Sequence, residues 1–274
     1  MDWTEAQERL AAPMFAPLQA GLARLPRERW PTHDELSAAA HGIETASGRG
    51  LRFVPPARPG EGERRSYEGR VFATGEVPTR PCNWHDLFNA LAWLAYPRTK
   101  ARINAQHVAI LEEGGAEEAL RRGPERDALT LFDEGGVIVA SSSPQLLSLV
   151  ADREWKELFW RRRAEHAAGL AFFAFGHALY EKGLAPYPGI VAKTVFVRVD
   201  ELFFALPAQA RVARADEAAA EHFSNRVRFA TPRAMPPLPV LGIPGWHPDT
   251  ERESFYDDAS HFRTHDKLAA RFAR

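Results

Sequence analysis

A single cysteine, Cys82, in 274 residues leaves this chain with no internal disulfide and without the thiolates of a structural zinc site. Long apolar runs are missing too. No stretch approaches the roughly 18 apolar residues that would cross a bilayer as a helix. Excess charge of either sign is absent. Lysine and arginine number 35 against 36 acidic residues, a formal net charge of −1. That balance lacks the positive footprint of broad nucleic-acid binding or of attachment to an anionic membrane. The first thirty residues mix early acids with apolar positions and lack the basic start and apolar block of a signal peptide. A reducing, cytoplasmic setting is the expectation. The common catalytic signatures are missing as well: no phosphate-binding G-x-x-x-x-G-K-S/T, no G-x-G-x-x-G, no H-E-x-x-H and no G-x-S-x-G.

What remains is an ordinary globular composition, with 45% hydrophobic and 26% charged residues, and enough chain for a substantial core. Within it one stretch stands out, Asn83 to Leu111. Asn83 reads as an N-cap with Asp86 three residues on, followed by a helix from Trp84 to about Tyr96 that Pro97 ends. At 100° per residue Trp84, Leu87, Phe88, Leu91 and Leu94 share the core stripe, and His85 and Asn89 lie on a stripe beside it. A second helix, from about Thr99 to Glu113, turns Arg102, Gln106 and Glu113 to solvent. Lys100, Asn104 and His107 then recur at i, i+4, i+7 in the middle of the inward face. Leaving such groups buried and unpaired costs about 1–3 kcal/mol each, so they must be paired or line a wet pocket.

The rest of the chain frames this pair. Residues 1–50 read as a helical lead broken by Pro13, Pro17, Pro26 and Pro31. Residues 51–231 read as an α+β core and 232–274 as an extended C-terminal arm packed over it. Leu51 to Val54 is expected to be a short strand, Pro55 to Arg65 a polar Pro/Gly-rich loop, and Ser66 to Thr79 a strand and turn. Asp127 to Ala140 reads as a β-hairpin about Asp133-Glu134-Gly135-Gly136, its acids explained by the turn rather than by a cation. Ser143-Pro144 starts a helix expected to run to His166. Leu170 to Phe175 reads as a buried strand, His177 to Glu181 as a short helix and Ile190 to Val199 as a strand with Lys193 on its valine side. A helix is expected from about Asp216 to Arg226. Six prolines between Pro232 and Pro248 exclude a regular element there, and the last ten residues are expected to fray. Strand and helix signals without regular βαβ alternation predict an α+β fold, a small mainly antiparallel sheet packed by helices.

Four blocks in fixed order, NWHDLFNALAWLAYPRTKARINAQH, DALTLFDEGG, FGHALYE and the PLPVLGIPGW…FYDD…FR tail, resemble a bacterial family known as domain of unknown function 3025. The resemblance spans Leu51 to Arg263. It implies one compact domain with a variable N-terminal lead, and it brings no activity, cofactor or catalytic residue with it.

Chemistry must therefore be read from the residues themselves. The first expectation is a divalent-metal-assisted hydrolase, acting on a small molecule such as a phosphoester. His85, His107 and His177, with Asp86 or Glu181, supply nitrogen and oxygen ligands. Asn104 would orient a water, Lys100 or Lys193 would offset developing charge, and Asn89 would line the pocket. A non-catalytic module holding a small acidic ligand or a peptide is the second reading. A purely structural network tying the helix pair to the sheet is the third. A Cys82–His85 pair is a further nucleophilic alternative, although a lone cysteine beside a cap more often packs than reacts.

Overall fold

The computed structural model describes residues 3–57, 66–120 and 123–263. The expected loop falls partly, and the expected fraying end wholly, outside them. Before residue 51 come α1 (Trp3–Leu10), a 3-10 segment (Pro13–Leu18), α2 (Gln19–Leu22) and α3 (His33–Ala39). Thr32 and Glu35 close a reciprocal capping box at the start of α3. This lead belongs to the main core. Phe15 packs on Phe88 and Tyr180 with ring centroids 5.8 and 5.7 Å apart, and Trp3 stacks on Trp84 at 5.5 Å. Among the described residues these rings join one apolar cluster that continues into the sheet.

The α+β expectation holds. β1 (Arg52–Val54) pairs in parallel with β2 (Glu76–Pro78), with α4 (Tyr67–Thr74) between them. Then come α5 (Trp84–Ala95), α6 (Pro97–Leu120), α7 (Pro124–Gly135) and β3 (Gly136–Ser141). The chain continues through α8 (Pro144–Ala151), α9 (Arg163–Gly169), β4 (Leu170–Ala174), α10 (His177–Leu184) and β5 (Val191–Arg198). It closes with α11 (Leu202–Ala205), α12 (Ala208–His222) and β6 (Pro237–Pro239). The second sheet has the order β4-β3-β5-β6, antiparallel at both outer pairs and parallel between β3 and β5. Every residue of β3 is buried, as its unbroken apolar run requires of a strand covered on both faces. Ile138 faces Phe173 on one side and Val195 on the other. No helix of the described residues is long and apolar enough to cross a membrane.

Several expectations are corrected. The Asp127–Ala140 hairpin is a helix running straight into a strand. Leu129 and Leu131 alternate as a strand would, but Ala128, Leu129 and Phe132 are the buried set, at helical spacing, and Leu131 is exposed. Gly123 followed by Pro124, with Glu125 and Asp127 in the first turn, was the helix-start signal. Ser66 to Thr79 also begins as a helix. The Ser66 side chain accepts from Gly69 N, and Gly75 ends the turn in the left-handed region at φ 72°. The helix expected from Ser143 to His166 breaks after Ala151, where Arg153 adopts φ 59° and Trp155 turns into the core. α12 begins at Ala208, earlier than expected, and Pro237–Pro239 forms an edge strand within the arm, a position where proline is tolerated.

Two anchorages fix the helix pair. Asp216 of α12 accepts from the backbone N–H groups of Arg98 (3.0 Å) and Thr99 (2.8 Å), satisfying free donors at the start of α6. At the end of α5, the Tyr96 hydroxyl donates to the Ala174 carbonyl (2.8 Å), and Tyr180 donates to the same oxygen. That carbonyl closes β4 three residues before His177, so α5, α6 and the start of α10 are held in one arrangement.

Candidate functional site

A cleft of about 380 Å³ opens where α4, α5, α6, α7 and α10 meet. A larger groove of about 700 Å³ runs over Leu202, Phe203, Leu206 and Ala218, and no histidine lines it. The chemistry is in the smaller one. His85, His107 and His177 line it together with Glu68, Asp133 and Glu134.

His85, Glu134 and His177 each bring a ligand-type atom to within 4.8 Å of the others. They come from three helix ends: the second residue of α5, the last turn of α7 and the first residue of α10. The two imidazoles meet edge to face, with centroids 4.5 Å apart. Each has a carboxylate beside Nδ1. Glu181 Oε2 lies 3.0 Å from that atom in His85, and Asp133 Oδ2 lies 3.6 Å from it in His177. In His85 the contact is a hydrogen bond, and a carboxylate only accepts, so it favours the proton on Nδ1 and leaves Nε2 with its lone pair. In His177 the gap to Asp133 is too long for one, and Nδ1 has no hydrogen-bond partner among the described residues. The Nε2 of His177 is 3.9 Å from Glu134 Oε1.

The electrostatics favour a neutral His177. Burial lowers its pKa from the usual 6.5 to about 4, against the opposing pull of Asp133. Burial also acts to raise Asp133, but Lys100, His177 and His107 outweigh it and hold the carboxyl below its usual range. Glu68 moves the other way. Its desolvation, with Asp133 adding to it, lifts the carboxyl from 4.5 to about 7. Asp133 and Glu134 lie in the last turn of α7, at the negative end of the helix dipole, where cations are favoured and carboxylates are not.

These shifts predict the stability profile. His166 and His222 are depressed by burial to about 4, like His177. Unfolded imidazoles take up protons near pH 6.5 that the folded ones refuse until about 4, so stability should fall as pH drops through that window. Glu68, raised to about 7, contributes the opposite trend, present below 4.5 and lost as pH rises through 7. Urea unfolding across the acid range should show the three histidines prevailing. A flat profile from pH 6.5 to 4 would contradict these assignments.

A family model described as a protein of unknown function, DUF3025, matches residues 51–266. The chain belongs to this family. No curated protein and no solved structure matches it. The whole cleft, from Ser66 to His177, lies inside the DUF3025 stretch.

Measured against the residues singled out in the sequence, this DUF3025 cleft gathers His85, Asp86, Asn89, His107 and His177 on its walls. Other assignments change. Asp86 is committed to Arg80, taking its Nη2 (2.7 Å) and Nε (2.9 Å) as a fork, and stands outside the three-ligand group. Glu181 backs His85 instead of joining that group, and Glu134 takes the carboxylate place. Lys100 is only 5% exposed and donates to Asn89 Oδ1 (2.8 Å) and to both oxygens of Asp133 (2.7 and 2.9 Å), so it has no free donor for an anion. Asn104 donates to the Glu68 carboxyl and to its carbonyl (3.0 Å). Lys193 leaves the cleft altogether, donating to the carbonyls of Pro232 (2.8 Å) and Met235 (3.3 Å). Cys82 is exposed at φ 52°, and His85 turns its Nδ1 to Glu181.

Glu68, Tyr67, Arg126 and Thr130 line the cleft and were not singled out in the sequence. Reading α4 as a strand hid the first two. Reading α7 as a hairpin hid the spacing of Arg126, Thr130, Asp133 and Glu134, which at i, i+4, i+7, i+8 form one helical face.

Proposed function

We propose that this chain is a divalent-metal-dependent hydrolase whose ion is held by His85, His177 and Glu134. The observation that carries the reading is the meeting of three ligand atoms from separate helices within 4.8 Å, with Glu181 hydrogen-bonded behind His85 and Asp133 3.6 Å from His177 Nδ1. A carboxylate–histidine pair such as Glu181–His85 orients a ligating imidazole and raises its basicity. Two nitrogens and one oxygen suit zinc or a similar ion and leave positions for water and substrate. Ligands about 2 Å from one ion lie roughly 3.3 Å from one another, so small rotamer changes close the site. A cation would also relieve the two acidic side chains at the negative end of α7. Phosphoesters are the first substrate class to test, because Arg80 and Arg126 line the same cleft.

Isothermal titration with Zn²⁺ or Mn²⁺ should give one site per chain. His177→Ala and Glu134→Gln should each weaken it by at least about 100-fold. Wild-type protein that takes up neither ion would refute the proposal. The bonding of Lys100 supports a second reading for that residue alone, as a structural tie between α5, α6 and α7.

A further inference from the structure

The metal reading leaves the proton unassigned. A water attacking an ester must lose a proton, and the leaving group must gain one. The three ligands cannot take it, because their lone pairs would be on the ion. Among the other carboxylates of the cleft, Asp86 is held by the Arg80 fork and Asp133 by two bonds from Lys100. Glu68 differs. It lines the cleft from α4, and its carboxyl accepts from a neutral amide, Asn104 Nδ2. Asn104, 2% exposed, also donates to the Glu68 carbonyl at 3.0 Å, fixing the residue at both ends. Its own Oδ1 is buried with no hydrogen-bond partner among the described residues.

Resting on the metal reading, the geometry points to Glu68 as the general base and acid of the hydrolysis. An O–H bond of the attacking water breaks, and the proton passes to a Glu68 carboxylate oxygen. The freed electron pair forms the bond from oxygen to the ester carbon or phosphorus. The bond to the leaving group breaks with its electrons, and Glu68 returns the proton to that group. The sum adds one water across the ester. The charged and titratable groups that act on Glu68 are Asp133 and Arg126 from α7 and Lys100 from α6, with Tyr67 its neighbour on α4. Asp133 raises its proton affinity and the two cations lower it. Its carboxyl, at about 7, is thus suited to exchange a proton near neutral pH, where a base works best.

The test uses the full chain loaded with Co²⁺, whose visible bands report ionisation of a bound water. Glu68→Gln keeps an acceptor for Asn104 but cannot take a proton. It should bind Co²⁺ as wild type does, while the pH midpoint of the bands moves by about one unit or the transition disappears. With p-nitrophenyl acetate and bis(p-nitrophenyl) phosphate, whichever is turned over, the rate should fall about 10²- to 10⁴-fold. Glu68→Asp, which retains the base at a shorter reach, should lose less and guards against a folding defect in the glutamine variant. An unchanged band titration in Glu68→Gln, or an unchanged rate, overturns the role of Glu68 and leaves the metal site standing. Failure of the wild type to bind Co²⁺ overturns both.

Discussion

Replacing Lys100 with alanine is expected to lower the unfolding free energy by about 3–5 kcal/mol, the usual cost of removing one partner of a buried ion pair. Lys100 is 5% exposed, and its ammonium uses all three donors, one on Asn89 and two on Asp133. Its Nζ also lies over the Trp93 ring, 5.6 Å from the centroid. Without it, Asp133 would keep a charge in a desolvated position with no lysine opposite. Most of the loss would come from that abandoned carboxylate rather than from the bonds themselves. Adding Asp133→Asn to Lys100→Met should therefore recover part of the stability, and urea unfolding of the double-mutant cycle measures it. A loss below about 1 kcal/mol in Lys100→Ala would mean that the pair is solvated and weak.

Gly176→Ala should be nearly as damaging, by about 3 kcal/mol, and should also abolish metal binding. A β-carbon there would collide with the Glu134 carbonyl and the Gly135 nitrogen, which are backbone atoms and cannot turn aside. The glycine has φ −64°, so the problem is space rather than backbone strain. It lets the start of α10 lie against the end of α7, and this contact sets Glu134 beside His177. Gly183→Ala in the same helix is the control. Its β-carbon would meet Met14 and Phe15 side chains, and the flexible thioether can yield. Unfolding and Zn²⁺ titration of both variants would separate the cases. Normal metal binding by Gly176→Ala would show that the site tolerates a shift of α10.

The helix pair shows what local pattern can reveal. Asn83 caps α5 by accepting from Asp86 N, and Lys100, Asn104 and His107 are buried as their i, i+4, i+7 spacing requires. These are consequences of 3.6-residue periodicity and capping chemistry, which act over a few residues and so stand in the sequence. α7 shows the limit. Leu129 and Leu131 satisfy a strand pattern and Ala128, Leu129 and Phe132 a helical one. Packing between α6, β5 and α10 favours the second, and periodicity alone does not separate short apolar runs.

The sequence by itself thus determined the α+β class, the buried polar face of α6 and the strands β4 and β5. It did not determine the partners. Glu134 meets His177 across 43 residues and His85 meets Glu181 across 96, contacts settled by how α5 and α7 pack against α10. Lys100 was legible as a buried cation, but the side chain that answers it was not. Asp133 lies on another helix, and its distance from Lys100 depends on how α6 packs against α7. Long-range electrostatic pairing has no sequence period. Only the tertiary structure decides which charges face each other, because only it sets the distances over which they act.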